Sequence, residues 1–465
     1  MASWHPTTWF PGHLNAVKLW TPPPGSEGKY VALSHRWETN DNLHINLHLT
    51  TATMSSLESG VPIASLSRTY QKALRLTATL GFRYLWIDAL CILQDSDEDW
   101  LQESPKMASV YHNCIFSIAI HPSGDVFRRY FRKRKGQSGT FRQDVCESLL
   151  SRRGWVFQER LLAPRTLHLT SRDIFMEDAS GVLSIAEDGY LTRPLLYDPL
   201  LDNKLNLEDL FRSSAEWYHL IEKYSACDLT FQCDRLPAIE GLARYCGERN
   251  CDMGTYVSGL WENSVHQGLL WILGQCPSQE VPKDPRGRPP APTWSWGRWC
   301  GRIHYPRDLS STSPVLRLVD DPPLQSPPFW EGNETLALEA PVCEPRGNTA
   351  VKLPRNIMFA HYPQNSTPLY YVPNDPLKVL ILDNEERSKV ALGNVLLAFV
   401  AKNEVKEYLY DDNHDTFLEK VTCRSYFLLL KPVASKPDHY RRIGLGWEFV
   451  TSTVNKRRRQ RIFLS

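Results

Sequence analysis

Gly81-Phe-Arg-Tyr84-Leu-Trp-Ile87-Asp88-Ala-Leu-Cys91-Ile-Leu-Gln-Asp95-Ser-Asp-Glu-Asp99-Trp100 decides how this chain is read. Tyr84 to Ile87 is a short apolar run that stops at Asp88, and an acidic cluster follows it. Such a run, apolar without alternation, is what a strand buried on both faces looks like. Open α/β sheets gather their ligands at the carboxyl ends of these strands. Asp88 therefore stands where chemistry is usually done, or else merely holds a loop.

Upstream, Tyr30–Ser34 is another apolar strand, with polar His35-Arg36-Trp37-Glu38 at its end. Pro62 and the serines after it open a helix. Its face carries Leu66, Tyr70, Ala73, Leu74 and Thr77, and Gly81 is a C-terminal stop. Downstream, Ser96 with Asp99 makes the looser form of a capping box. The helix it starts carries Trp100, Met107 and Tyr111 on one side, and Pro105 must bend or divide it. Ile115–Ile120 reads as a third strand and Ser151–Leu162 as a helix, with strands at Thr166–Thr170 and near Asp173–Met176. This alternation predicts a parallel α/β sheet with right-handed crossovers over residues 29–185, carrying a polar, basic insertion at 121–150.

Residues 1–28, with Pro22–Gly25, read as a lead-in arm. Residues 186–281 read as a helical region, with helical spacing in Leu207–Tyr224, Leu236–Tyr245 and Tyr256–Leu273. Residues 282–334 are a linker, Pro/Gly-rich from Pro282 to Pro292, followed by an aromatic strand whose Trp294 and Trp296 pack. Short alternating runs at Thr335–Leu338, Val379–Leu382, Val395–Val400 and Tyr426–Leu430 predict an antiparallel β-rich module over 335–465.

Hydrophobic residues make up 42% and charged residues 23% of 465, globular values at a length that implies two or three domains. A net charge of +1 supplies no field to recruit nucleic acid or an acidic membrane. Basic clusters at Arg128–Lys135 and Lys456–Arg461 read as solvated loop and tail, although the second could serve as a nuclear address. The 11 cysteines contain no C-x-x-C pair, which fits reduced thiols in the cytoplasm better than disulfides or zinc. No secretory signal is read, and no apolar run approaches the ~20 residues of a membrane span. His44 and His48 are spaced as a metal pair but lack a third ligand nearby, so no metal is expected. Cys91 with His35 could form a thiol and base, but in Leu-Cys-Ile it reads as a small buried hydrophobe. No G-x-S-x-G, Walker loop or G-x-G-x-x-G is present.

In Arg152-Arg-Gly-Trp155-Val-Phe-Gln-Glu159-Arg160, Trp155 and Glu159 are i and i+4 on one helix face. An indole shelf one turn from a carboxylate suits a flat cationic ring. The carboxylate can also stabilise positive charge developing at a breaking glycosidic bond. The alternative makes Trp155 and Phe157 core and pairs Glu159 with Arg153 or Arg160.

Three blocks together resemble the fungal heterokaryon-incompatibility (HET) domain: Tyr30-Val-Ala-Leu-Ser-His-Arg-Trp37, Leu80 through Asp95 with Asp99-Trp100 and Met107…Tyr111, and Arg153 through Leu167. Further stretches, among them Asp234-Arg-Leu-Pro-Ala-Ile-Glu-Gly-Leu-Ala and Pro292-Thr-Trp-Ser-Trp296, look like the downstream region of long HET proteins. The resemblance implies a role in nonself recognition with a cell-death reaction. HET domains also look like remote relatives of TIR domains, whose core is flavodoxin-like and some of which hydrolyse NAD with a glutamate in a Trp-x-x-x-Glu helix. Trp155…Glu159 matches that spacing. The carry-over implies Glu159 as the catalytic residue. Ser34, His35, Arg36, Trp37, Asp88 and Trp155 would line the substrate site, with NAD as a substrate, no cofactor, and self-association through the HET domain. The alternative is a non-enzymatic signalling scaffold with the same fold. Two features depart from the family pattern: His35 and Glu38 replace the usual tyrosine and glycine of Ser-Tyr-x-Trp-Gly, and the end of the domain reads Phe175-Met-Glu-Asp-Ala.

Overall fold

All five residues of Tyr30–Ser34 are buried, and they form strand β1. The computed structural model describes residues 7–8, 15–36, 47–121, 140–184, 213–274, 279–319, 335–345, 349–352, 369–372, 375–383, 389–392, 394–411, 416–434, 436–450 and 457–464. Parallel to β1 run β2 (Tyr84–Trp86) on one side and β3 (Ser117–Ile120) on the other. Strand β4 (Arg165–Leu169) lies parallel beyond β3, so the order is β2-β1-β3-β4. Chain order reverses between β1 and β3, the switch point at which such sheets leave a crevice at the carboxyl ends of their strands.

The sheet is mixed, which corrects the expectation of a parallel one. Strands β5 (Ile174–Asp178) and β6 (Gly181–Ser184) continue it antiparallel beyond β4. On the far side Thr7–Thr8, Ala16–Leu19 and Val61–Pro62 add antiparallel strands, so part of the expected lead-in arm belongs to the sheet. Ala16–Leu19 alternates exposed and buried, turning Val17 and Leu19 inward, as an edge strand with one wet face does.

Helix α1 (Arg68–Thr79) starts where the Ser67 hydroxyl accepts from Tyr70 N, and Gly81, at φ 81°, ends it. Its buried Tyr70, Ala73 and Leu74 pack with Val31, Leu33, Ile118 and Ile120 in the main core. Asp88 opens the short helix α2 (Asp88–Cys91). Ser96 caps α3 (Asp97–Glu103) by accepting from Asp99 N, and a 3-10 turn over Ser104–Lys106 separates α3 from α4 (Met107–Asn113). Pro105 therefore divides the expected helix, because its ring denies an interior hydrogen bond. The opposite sheet face presents Ala32, Ser34, Ser117 and Ala119 by the two-residue alternation of strands. Helix α5 (Gly154–Leu162) packs there, with Val156 against Ala119 and Leu150. Within 121–150, residues 122–139 and with them Arg128–Lys135 lie outside the described residues.

The chain divides into two compact units, and everything above belongs to the first. The second contains Leu210–Ala226, Thr230–Leu236 and Cys246–Ser465. Its helix Ser214–Ser225 falls on the expected stretch Leu207–Tyr224, whose residues 207–212 lie outside the described residues, but residues 256–273 are not one helix and hold only the four-residue helix Val265–Gly268. Tyr256–Val257 and Leu260–Trp261 pair antiparallel across Ser258 (φ 42°) and Gly259 (φ 95°). Two consecutive positive φ values make a type I′ hairpin turn, which helical spacing does not reveal. At Gly259 an added Cβ would stand 2.4 Å from Trp296 Nε1. Thr293–Gly297 is a turn leading into a 3-10 helix, not a strand, although Trp294 and Trp296 are fully buried as packing residues. Residues 282–292 are tied down as well: Arg286 pairs with Asp234 at 2.5 Å and Arg288 with Asp234 at 2.9 Å.

Among the described residues an eleven-stranded sheet follows. It is antiparallel apart from the pairing of His439–Val450 with Arg459–Leu464. The reading of the C-terminal basic cluster as a free tail is corrected: Arg459–Leu464 is a strand laid against Leu336–Cys343. Arg457 pairs with Glu448 at 2.6 Å and Arg459 with Glu339 at 2.8 Å. Backbone pairing and partner carboxylates absorb these cations, while Lys456 lies outside the described residues. Among the described residues no helix is long and apolar enough to cross a membrane.

Two contacts in the first unit fix α5. Gly154 N donates to Asp228 O at 2.8 Å, and Asp228 N donates to Arg152 O at 2.6 Å. Gln158 Oε1 accepts from Leu242 N at 3.0 Å on the helix Pro237–Arg249, where Gly241 allows the close approach. A Cβ on Gly241 would stand 2.5 Å from Ala108 Cβ and 2.7 Å from Gln158 Oε1. In an open helix Gly→Ala stabilises by about 1 kcal/mol. Here we expect Gly241→Ala to destabilise by about 1–3 kcal/mol through overpacking, measured by urea unfolding. An increase in stability would show that α4 and α5 are not held at this distance.

Candidate functional site

Strand β1 ends at Ser34, whose Oγ lies 3.3 Å from Ser117 Oγ on β3. The next residue, His35, is 4% exposed, and its ring stands edge-on to Tyr70. His35 Nε2 is 3.2 Å from the Tyr70 hydroxyl, and Nδ1 is 3.6 Å from Asp88 Oδ1. Asp88 follows the end of β2, where its carboxylate also accepts from Ala89 N at 2.7 Å and its side chain keeps 22% of its exposure. Two strand ends thus bring a histidine and an aspartate together from residues far apart in sequence.

Helix α5 adds Glu159, 4% exposed beneath this rim. Its Oε2 is buried and has no hydrogen-bond partner among the described residues. Neither adjacent arginine clamps it. Arg160 donates to Glu177 instead, at 2.8 and 2.7 Å, and Arg153 Nη1 donates to the His35 carbonyl. Burial, reinforced by the negative charge of Asp88, pushes the Glu159 carboxyl up to about 7. The Ser34 hydroxyl, the Arg153 charge and the Tyr111 hydroxyl pull it partway back. A carboxyl that titrates near neutrality can exchange protons or present a poised negative charge at ordinary pH.

Ser34, His35, Asp88 and Glu159 therefore come together at one end of the sheet. Arg36 is exposed beyond them. Trp155 is half-buried and meets Trp100 edge to face, 6.2 Å between ring centroids, so the indole shelf is a pair of tryptophans. Trp37, Glu38 and His44 lie outside the described residues. Cys91 is buried among apolar neighbours, and no disulfide occurs among the described residues. No group of three or more metal-type ligands occurs among the described residues. Sequence reasoning missed Ser117 and Tyr70 as site neighbours, and weighed Arg153 as an ion-pair partner of Glu159, not as the donor to the His35 carbonyl. Only Ser117 left a signal, as a hydroxyl inside an otherwise apolar strand.

A carboxyl whose folded pKa exceeds its ordinary 4.5 binds its proton more tightly when folded. Its contribution to stability is complete below about pH 4.5 and is lost as pH rises towards 7. Glu159→Gln, which mimics the protonated acid, should match the wild type at pH 4.5 and exceed it at pH 8 by up to about 3 kcal/mol. Thermal unfolding at the two pH values checks this, and equal midpoints at pH 8 would show that the carboxylate is solvated.

A cavity of about 280 Å³ lies elsewhere in the first unit, lined by Trp20, Glu27, Tyr30, Tyr84 and their neighbours and not by Glu159. Comparison with curated proteins and with solved structures finds no match. Residues 30–159, from the first residue of β1 to the buried glutamate, match the family model described as heterokaryon incompatibility protein (HET). The chain carries a HET domain, which implies a role in heterokaryon incompatibility.

Proposed function

We propose that this chain is a cytoplasmic HET-domain effector of nonself recognition that triggers cell death by hydrolysing NAD at Glu159. The observation that carries the reading is the state of that carboxyl, buried at the carboxyl ends of β1 and β2 with no arginine clamped to it. The strand order β2-β1-β3-β4 supports a flavodoxin-like, TIR-like core, since doubly-wound sheets of that type share it and bind ligands at this switch point. Residues 29–185 act as the effector and residues 186–465 regulate it.

In the reaction, ionised Glu159 holds a ribose hydroxyl and stabilises positive charge at the anomeric carbon as the bond to nicotinamide breaks. Water adds to that carbon and loses a proton, giving nicotinamide, ADP-ribose and H⁺. Ser34, His35 and Asp88 orient the ribose, and Arg36 meets the diphosphate. The Trp155 face attracts the cationic ring. Glu159 is only 4% exposed, which fits a resting enzyme that opens when copies assemble. The same burial favours the rival reading, a scaffold that signals by contact and has no catalysis.

NAD loss in concentrated full-length protein separates the two readings. Wild type should consume NAD with a rate that rises faster than linearly with protein concentration. It should also rise with pH through about 7 as Glu159 ionises. Glu159→Ala should lose about 10²–10³-fold. If both proteins lose NAD equally slowly, the enzymatic reading fails and the scaffold remains.

A further inference from the structure

We propose that Ser148 is a nucleophile primed by a buried relay through His121, His168 and Glu177. It gives the first unit a second reactive site, for small activated esters, that shares no residue with the site around Glu159.

The relay is assembled by adjacent strands. His121 follows the last residue of β3, His168 lies on β4 opposite Ala119, and Glu177 lies on β5 opposite Thr166. The three side chains belong to residues 3%, 1% and 1% exposed. Arg160 donates to both oxygens of Glu177 and, although burial works the other way, holds that carboxyl far below the usual range.

The proton positions then follow one from another. A carboxylate only accepts, so His168 Nε2, 3.0 Å from Glu177 Oε2, carries a hydrogen and donates it. Arg160 already neutralises Glu177, and a further buried positive charge beside it would be costly, so His168 is neutral. Its Nδ1 is therefore a bare lone pair, 3.1 Å from His121 Nε2, which must hold the next hydrogen. Burial and the Arg160 charge also hold His121 well below its ordinary range, so its ring is neutral too. This leaves His121 Nδ1 as an acceptor, 2.7 Å from Ser148 Oγ. Ser151 Oγ, at 3.4 Å, is a poorer acceptor for the same hydroxyl proton, while Ser151 N donates to the Ser148 oxygen at 3.2 Å.

A hydroxyl, an imidazole accepting its proton and an orienting carboxylate form the constellation used for nucleophilic catalysis on unrelated folds, here with a second imidazole interposed. Ser148 is the partly exposed end of the relay, and its neighbour Leu149, 50% exposed, offers an apolar surface to an acyl group. In the reaction the Ser148 oxygen bonds to the acyl carbon while its proton passes to His121 Nδ1. The imidazolium returns that proton to the departing alkoxide as the ester bond breaks. Water, deprotonated by the same nitrogen, then cleaves acyl-Ser148 to a carboxylic acid and free serine. His168 and Glu177 are positioning residues that set the His121 tautomer.

The test treats the full chain with a fluorophosphonate probe, locates the adduct by peptide mass spectrometry, and follows p-nitrophenyl acetate hydrolysis alongside. A phosphonyl group should appear on Ser148 with loss of fluoride, be absent in Ser148→Ala, and form about 10²-fold or more slowly in His121→Gln. Ester hydrolysis should fall in the same order. No adduct on Ser148 of the wild type, an arm that depends on no variant folding, overturns the proposal. So does an adduct that forms equally fast in a His121→Gln protein whose unfolding midpoint shows it to be folded.

Discussion

The first unit depends on the close approach of one helix to a face of small side chains. Ala32, Ser34, Ser117 and Ala119 leave room on the β1–β3 face, and α5 occupies it. Larger residues there would hold the helix away, and Glu159 would then reach water and titrate as an ordinary carboxyl. Because the helix lies close, the carboxyl is buried and shifted. The contacts that fix the helix, Gly154 to Asp228 and Gln158 to Leu242, come from residues well beyond the domain's sequence blocks.

The same helix distributes charge unevenly. Two buried glutamates lie near it with opposite fates. Glu177 receives the two-pronged grip of Arg160, whereas Glu159, one residue before that arginine, receives none. Successive helical residues point about 100° apart, so adjacency in sequence places Glu159 and Arg160 on different faces. Removing a partner from a buried ion pair is destabilising, which explains a Glu177 pair left intact. A buried carboxyl with no arginine clamped to it is costly as well, and such costs concentrate at functional sites.

The second unit solves a related problem. Arg442, 2% exposed as a whole residue, lies 3.5 Å from the Trp271 ring centroid and pairs with Asp383 at 3.1 Å. Its guanidinium also donates to the carbonyls of Leu269 and Trp271 at 2.7 and 2.5 Å. With a carboxylate, an aromatic face and two carbonyls satisfied together, one arginine joins the Trp-rich segment to the large sheet. Trp217, Trp261, Trp271, Trp294 and Trp296 are fully buried in the same unit.

Local patterns fixed what depends on neighbours in sequence. The apolar runs at Tyr30 and Tyr84, the Ser67 and Ser96 caps, the Gly81 stop and the break at Pro105 could all be read from the chain, because each is settled within a few residues. Asp88 could be singled out by its position at the end of an apolar run, and Glu159 by its i,i+4 spacing from Trp155. What tertiary structure alone decided was partnership. Spacing made Arg153 and Arg160 equal candidates to neutralise Glu159, and packing sent one to a carbonyl and the other to Glu177. The hairpin at Ser258–Gly259 hid behind helical spacing, and the basic cluster near the C-terminus hid a strand. His121, Ser148, His168 and Glu177 form no motif in the sequence, because hydrogen bonds between adjacent strands join residues without regard to their separation along the chain.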